Sequence, residues 1–176
     1  MKPHIFVIPL LALSMLSACF MSEVARIETG EMLARGPVAL CTPDDPPCMI
    51  AVPSGDGYVV ESPDEDEDDL LIRFEHLTDA GGVPVYLGEV ALSDGDDSAW
   101  SYIVARPVVA TVDEAPRFDI AMPGCGEMDR ALDAEFGITR ADAYACTVTD
   151  LAGLRAYLTQ HYAERFADPD WWADAD

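Results

Sequence analysis

Residues 70–109 read LLIRFEHLTDAGGVPVYLGEVALSDGDDSAWSYIVARPVV, and this stretch decides the fold that we predict. Its three runs rich in β-branched and aromatic residues are separated by Asp79–Gly82 and Ser93–Asp97, which are rich in glycine and aspartate. Such turns between apolar runs are typical of neighbouring strands. Because parallel strands need crossovers of about a dozen residues or more, the short connections predict an antiparallel meander.

The residues on either side of this stretch contain shorter strand patterns, and the last third of the chain contains segments with the periodicity of helices. A meander followed by helix, strand and helix predicts an α+β fold, a small antiparallel β-meander with two C-terminal helices packed on one face. The further elements that we predict are strands at Tyr58–Val60, Phe118–Met122 and Tyr144–Val148, a helix at Glu127–Phe136, and a helix capped by Thr149 or Asp150 that ends at Asp168–Asp170.

Acidic residues dominate the composition of the chain. Its 176 residues include 33 Asp and Glu against 10 Lys and Arg, a formal charge of −23. Such a surface repels nucleic acid and anionic lipid headgroups, and no basic cluster offsets it. We therefore exclude nucleic acid as a partner and expect a basic protein or a cation. The alternative is that the acidity serves solubility alone.

The N-terminus has the three parts of a secretory signal. Lys2 provides a positive start, an apolar run extends from Ile5 to Leu16, and the small residues Ser17 and Ala18 follow. A transmembrane helix needs about 20 apolar residues, so this run is too short for a permanent span. The pattern predicts export.

The residues Leu16-Ser17-Ala18-Cys19 resemble the lipobox of bacterial lipoprotein precursors. The resemblance implies cleavage before Cys19, which then carries diacylglyceryl and palmitate-type acyl chains and anchors the protein to a membrane. Two or more acyl chains anchor stably, since each buried CH₂ contributes about 0.8 kcal/mol. Because Phe20 follows the cysteine, where an aspartate favours the inner membrane, the resemblance implies the outer membrane, facing the periplasm.

We divide the chain into a signal peptide at 1–18, a tether at 19–36 and a single α+β domain at 37–176. Cleavage removes eighteen residues, of which only Lys2 is charged, and leaves 158 residues with a formal charge of −24. This length suits one domain with a sizeable core.

Four cysteines remain for the exported body: Cys41, Cys48, Cys125 and Cys146. An even number of cysteines in an oxidising compartment predicts disulfides. Three pairings are open, and the shortest loops favour Cys41 with Cys48 and Cys125 with Cys146. A zinc knuckle is disfavoured, since no second ligand pair at metal spacing accompanies the first.

An acidic run offers an alternative based on calcium. Asp64, Asp66, Asp68 and Glu75 have the spacing of positions 1, 3, 5 and 12 of an EF-hand loop. Position 6 is Asp69 where glycine is required, and the residues that follow have the pattern of a strand. We expect a solvated acidic loop, with a calcium-stabilised structural module as an alternative function.

The sequence leaves enzymatic activity open and assigns no catalytic residue or cofactor. The leading hypothesis is a binding or interaction module with an acidic surface. The alternative is an envelope hydrolase that uses paired carboxylates or His161. A nucleophilic Cys125 is disfavoured, because we expect it in a disulfide. Trp171 and Trp172 are expected to pack the chain end onto the core.

Overall fold

The fold is described by a computed structural model. The residues that it describes are 19–42, 45–62, 68–94, 97–108, 115–125, 134–140 and 145–173.

Seven strands form a closed barrel that dominates the molecule. The strands are β2 (Val38–Thr42), β3 (Asp45–Ser54), β4 (Gly57–Val60), β5 (Leu70–Ala80), β6 (Val83–Asp94), β7 (Asp97–Val108) and β8 (Arg117–Ala121). Each of these strands pairs in antiparallel order with the next one along the chain. The barrel closes where β2 pairs with β8 in parallel, with Leu40 opposite Phe118.

Three short strands extend the sheet beyond the barrel. They are β1 (Cys19–Ser22), β9 (Ile138–Arg140) and β10 (Ala145–Val148). Strand β1 joins β7 in antiparallel order, with Met21 opposite Ser101, and pairs in parallel with β10. On the edge of β7 that faces away from β6, the N-terminal half therefore pairs with β1 and the C-terminal half with β8.

Alternation along the barrel strands divides the apolar side chains between two cores. On β7, Ile103 and Ala105 point into the barrel, while Tyr102 and Val104 point outward. Gly88 on β6 lies on the inner face, where a Cβ atom would come within 2.7 Å of the Phe74 ring. The inner core comprises Val38, Leu40, Ala51, Tyr58, Val60, Ile72, Phe74, Val90, Ile103, Ala105, Phe118 and Ile120.

The outer core lies between the outer face of β5, β6 and β7 and three C-terminal helices. These are α1 (Leu151–His161), α2 (Ala163–Ala167) and α3 (Pro169–Ala173). Both carboxylate oxygens of Asp150 accept bonds from the first turn of α1, as expected of an N-cap. Trp172 is fully buried and donates its indole N–H to the Phe166 carbonyl, which confirms that it packs the chain end onto the core.

The structure corrects the predicted fold class. The molecule is mostly β with a closed seven-stranded barrel and small helices, and is not a small α+β meander with two helices on one face. The strands of the meander do form where alternation predicted them. The difference arises from the additional strands β2 and β3 and from the parallel β2–β8 pairing, whose partners lie far apart in the chain and therefore leave no local pattern.

Two expected segments also differ from the prediction. Residues 19–36 were expected as a tether, yet β1 lies within the sheet, and Phe20 and Ile27 are buried. The predicted helix Glu127–Phe136 lies mostly outside the described residues, and the described residues 134–137 form a turn.

Both predicted disulfides are present. Cys41 pairs with Cys48, and Cys125 pairs with Cys146. The first joins β2 to β3. The second joins β10 to the segment that follows β8.

Candidate binding cleft

An open cleft forms where β3 continues past the end of β4. Strand β3 is ten residues long and β4 only four. Their pairing runs from Ser54 opposite Gly57 to Ala51 opposite Val60, where β4 ends. The earlier part of β3 therefore has β2 on one side and, among the described residues, no strand on the other.

The cleft has a volume of about 610 Å³ and an apolar floor. Met49, Val60 and Leu70 belong to or pack against the inner core, so the cleft opens beside one end of the barrel. Its lining residues are Pro47, Cys48, Met49, Ile50, Val52, Val60, Glu61, Ser62, Asp68 and Leu70.

Two large apolar side chains of the cleft face solvent. Ile50 is 53% exposed and Val52 is 43% exposed. They alternate on β3 with Met49 and Ala51, whose side chains contribute to the inner core. Single exposed apolar residues are ordinary, but two neighbours on one strand beside a cleft form a continuous apolar surface suited to contact with a partner.

The rim of the cleft is acidic. Glu61 and Asp68 line it and are exposed, and Asp69 is exposed beside them. These three carboxylates give the described part of the rim a negative charge.

The Cys41–Cys48 disulfide fixes β3 at the cleft. The two Cα atoms are 4.4 Å apart. The register of β2 with β3 is regular as far as Leu40 opposite Met49 and shifts between Leu40 and Thr42. The bridge therefore ties the two strands together where their pairing is irregular.

The candidate calcium ligands are not brought together within the described residues. Asp64 and Asp66 lie outside these residues. Asp68 is at the cleft rim, whereas Glu75 lies on β5, five residues beyond Leu70. Five residues of strand span about 16 Å, too far for one ion to bind both carboxylates. The part of the chain that the structure describes holds no group of three or more His, Cys, Asp or Glu placed to bind a metal.

Glu75 contacts a cation on the neighbouring helix. Its Oε1 lies 3.5 Å from Nε of Arg155 on α1, and its side chain is 17% exposed. Burial raises the pKa of the Glu75 carboxyl, the Arg155 guanidinium opposes this rise, and the charges of Glu31 and Glu89 add to it. The arrangement links α1 to β5.

The predictions from the sequence missed a buried polar network on the outer face of the barrel. Glu89 is fully buried on β6, and its Oε1 accepts bonds from the Arg26 N–H at 2.6 Å and the Tyr102 hydroxyl at 3.1 Å. Its Oε2 accepts the Ile27 N–H at 3.1 Å. Ser22 lies 2.9 Å from the Tyr102 hydroxyl. A signal was available in the sequence, since Glu89 interrupts an otherwise apolar strand pattern.

This network holds the segment after β1 against β6. Burial raises the pKa of the Tyr102 hydroxyl, and the Glu89 charge contributes in the same direction. The side-chain oxygens of Glu89, Tyr102 and Ser22 bond to one another or to the backbone, where Glu89 accepts from N–H groups and Ser22 donates to the Val24 carbonyl. The function of these residues is thus structural, because buried polar groups without partners destabilise a fold.

The residues considered for catalysis do not form a constellation. Cys125 is fully buried and in a disulfide, so it has no thiol to act as a nucleophile. His161 is exposed at the end of α1 and stacks on Tyr157, with ring centroids 4.9 Å apart. His76 is exposed on β5 and lies 3.2 Å from Asp79. None of these residues lines the cleft.

Comparison of the chain with protein-family models, with curated proteins and with solved structures finds no match. Across the described ranges, each helix is too short or too polar to cross a membrane. The cleft geometry is therefore the main structural guide to function.

Proposed function

We propose that this chain is a lipid-anchored envelope protein whose barrel binds a basic partner protein through the cleft. The observation that carries the proposal is an apolar cleft of about 610 Å³ beside exposed Ile50 and Val52, with Glu61 and Asp68 at its rim. Apolar contact supplies affinity, and the acidic rim selects a cationic partner.

The anchor part of the proposal rests on Leu16-Ser17-Ala18-Cys19, and the two disulfides support it. Disulfides form and persist in oxidising compartments such as the bacterial periplasm. Phe20 after the cysteine favours the outer membrane over the inner one, with the barrel facing the periplasm.

Charge also argues against other occupants of the cleft. The mature chain carries a formal charge of −24, so a second copy would be repelled, as would nucleic acid. A basic polypeptide with apolar side chains fits both the floor and the rim.

The anchor is tested by expressing the full precursor in a two-membrane bacterium with labelled palmitate. We expect the label and the protein together in the outer-membrane fraction, and we expect Cys19→Ser to lose the label. Unlabelled wild-type protein in the soluble fraction would contradict the proposed anchor.

Binding is tested with the mature chain carrying Cys19→Ser and a capped peptide of about eight residues, an ordinary strand length, with valines in the centre and lysines at both ends. We expect binding that weakens several-fold between about 0.05 M and about 0.5 M salt, since screening shortens the range of charge attraction. A peptide with glutamates in place of the lysines is the control and is expected to bind at least about tenfold more weakly.

The location of the peptide-binding site is tested by the substitution Ile50→Ser, with Val83→Ser as the matched control. Val83 is likewise an exposed β-branched residue on a strand, and it is 38% exposed. It lies at the start of β6 and does not line the cleft. Loss of the Ile50 contact corresponds to about tenfold weaker binding, whereas Val83→Ser leaves binding unchanged. Equal effects of the two substitutions would contradict binding in the cleft.

A further inference from the structure

We infer that one face of the three short strands beside Cys19 lies against the surface of the bilayer that holds the lipid. This inference rests on the proposed function, of which it uses the lipid anchor, and it adds the orientation of the folded body. We call this surface the anchor face. It comprises Met21 on β1, Thr139 on β9, and Ala145 and Thr147 on β10.

The register of the three strands brings these residues together. Strand β1 pairs with β10, and β10 pairs in turn with β9. Met21 is opposite Thr147, which is opposite Thr139, so the three side chains form a row across the sheet. Ala145 is opposite Cys19 and, by alternation along β10, faces the same side as Thr147. The backbone of Cys19 is therefore adjacent to the anchor face.

The other face of the three strands packs against the helices. Phe20, Cys146 and Val148 point to that side and belong to the outer core. The Phe20 ring lies 5.6 Å from the ring of Tyr157 on α1. With the anchor face against the bilayer, α1 therefore lies on the side of the strands that is directed away from the lipid.

The side chains of the anchor face suit contact with lipid headgroups. All four are uncharged, although the mature chain has a formal charge of −24. Thr139 is exposed, and Met21, Ala145 and Thr147 are half-buried. Anionic headgroups repel an acidic surface, whereas hydroxyl, methyl and thioether groups approach them without this cost. The anchor face is therefore a part of the described surface that can approach a bilayer closely.

Two exposed apolar residues extend this surface on either side of β1. Val24 is 52% exposed and follows β1, and Met122 is 47% exposed and follows β8. Strand β8 ends where β1 begins along the shared edge of β7, so Met122 is close to the start of β1. The charged residue Glu23 lies beyond the end of β1. Apolar side chains at such positions add contact with the interfacial region of a bilayer.

The position of the anchor restricts how the body can turn. Strand β1 begins at Cys19, and Phe20 is fully buried, so the sheet starts at the proposed acylated residue itself. A flexible linker would instead allow many orientations. The acyl chains supply the affinity for the membrane, and the anchor face determines which side of the body meets the lipid.

The test uses the mature chain with a single alkyl chain of myristoyl length on Cys19, which alone gives only marginal, reversible binding. The remaining cysteines are paired in disulfides, so an alkylating reagent reacts at Cys19. Thr139→Glu places a negative charge on the anchor face, and Thr159→Glu, at an exposed threonine of α1, is the matched control. On vesicles of phosphatidylethanolamine and phosphatidylglycerol, we expect Thr139→Glu to bind about fivefold more weakly and Thr159→Glu to bind like the unsubstituted chain. Equal binding by the two variants overturns the inference.

Nuclear magnetic resonance provides a second measurement on the unsubstituted alkylated chain, bound to nanodiscs that contain a gadolinium-chelating lipid. The paramagnetic ion reduces the intensity of nearby amide signals. We expect the amides of Met21, Thr139 and Thr147 to lose more intensity than those of Leu154 and Leu158 on α1. Uniform loss, or greater loss on α1, overturns the inference and leaves the anchor intact. A wild-type precursor without the palmitate label would overturn the anchor, and the inference with it.

Discussion

Glu89 holds the N-terminal segment against the barrel through both of its carboxylate oxygens. Glu89→Gln retains the size of the side chain but replaces one accepting oxygen with a donor that faces an N–H group. We expect a loss of about 2 to 3 kcal/mol in the free energy of unfolding, measured by denaturant titration. Tyr102→Phe, which removes one bond of the same network, is expected to lose about 1 kcal/mol. A smaller loss for Glu89→Gln than for Tyr102→Phe would contradict the proposed role of Glu89.

The raised pKa of Glu75 predicts that its effect on the stability of the fold depends on pH. Burial raises the pKa of this carboxyl in the folded state, so the folded protein binds a proton there at a higher pH than the unfolded chain does. The charged carboxyl therefore costs stability at neutral pH, and this cost disappears as the pH falls through the raised pKa.

The measurement compares Glu75→Gln with the wild-type chain. We expect the variant to be more stable at neutral pH, with a difference that shrinks as the pH falls below the raised pKa toward the ordinary value of 4.5. If the variant is less stable than the wild type at neutral pH, the Arg155 ion pair outweighs burial and the account of Glu75 is wrong.

Among the elements, the two disulfides differ in the length of chain that they close. Cys41–Cys48 spans a sequence separation of 7 and Cys125–Cys146 one of 21. Disulfides stabilise partly by restricting the unfolded chain, by about 2.5 kcal/mol and about 3.4 kcal/mol for loops of these lengths. We therefore expect Cys125→Ser with Cys146→Ser to lower the melting temperature more than Cys41→Ser with Cys48→Ser.

The affinity for the peptide is expected to rank the two disulfide variants in the opposite order from their melting temperatures. Cys48 lines the cleft, whereas Cys125 and Cys146 do not. We expect weaker peptide binding only in the variant that lacks Cys41–Cys48. Equal loss of binding in both variants would indicate a general effect of stability.

The elements also show what the sequence can predict. Strands β4 to β8 and β10 follow alternation or β-branched runs, and the cap of α1 follows from Asp150. Strands β2 and β3 were missed because Pro46 and Pro47 dominate the pattern there, although Met49–Val52 is a short apolar run. Both prolines in fact lie within β3.

The cleft was only partly predictable for the same reason. The acidic residues Glu61, Asp68 and Asp69 at its rim are visible in the sequence, and its disulfide follows from cysteine spacing. Its apolar floor depends on the unequal lengths of β3 and β4 and on barrel closure, and the closure is set by pairing between the distant strands β2 and β8.

At the scale of the whole molecule, β1 joins the proposed anchor directly to the sheet. It begins at Cys19, and Phe20 is fully buried with its ring 5.6 Å from that of Tyr157. A lipid on Cys19 would therefore hold the barrel close to the bilayer, without the long tether that the sequence suggested.

Phe20→Ala tests whether β1 is part of the folded body. We expect a loss of about 3 to 5 kcal/mol in the free energy of unfolding of the mature Cys19→Ser chain, as for other buried aromatic residues. Met21→Ala, at a half-buried neighbour, is expected to cost about 1 kcal/mol. Equal small losses would show that residues 19–36 form a tether after all.

The central claim is that a cationic segment binds in the cleft of this acidic molecule, and amide chemical-shift mapping tests it most directly. The lysine and valine peptide is titrated into the ¹⁵N-labelled mature Cys19→Ser chain. We predict that the amides of Cys48, Ile50, Glu61, Ser62 and Asp68 shift together and saturate, while those of α1 and β9 stay unchanged. Small shifts spread over the acidic surface without saturation, or no shifts at the cleft, would contradict the claim.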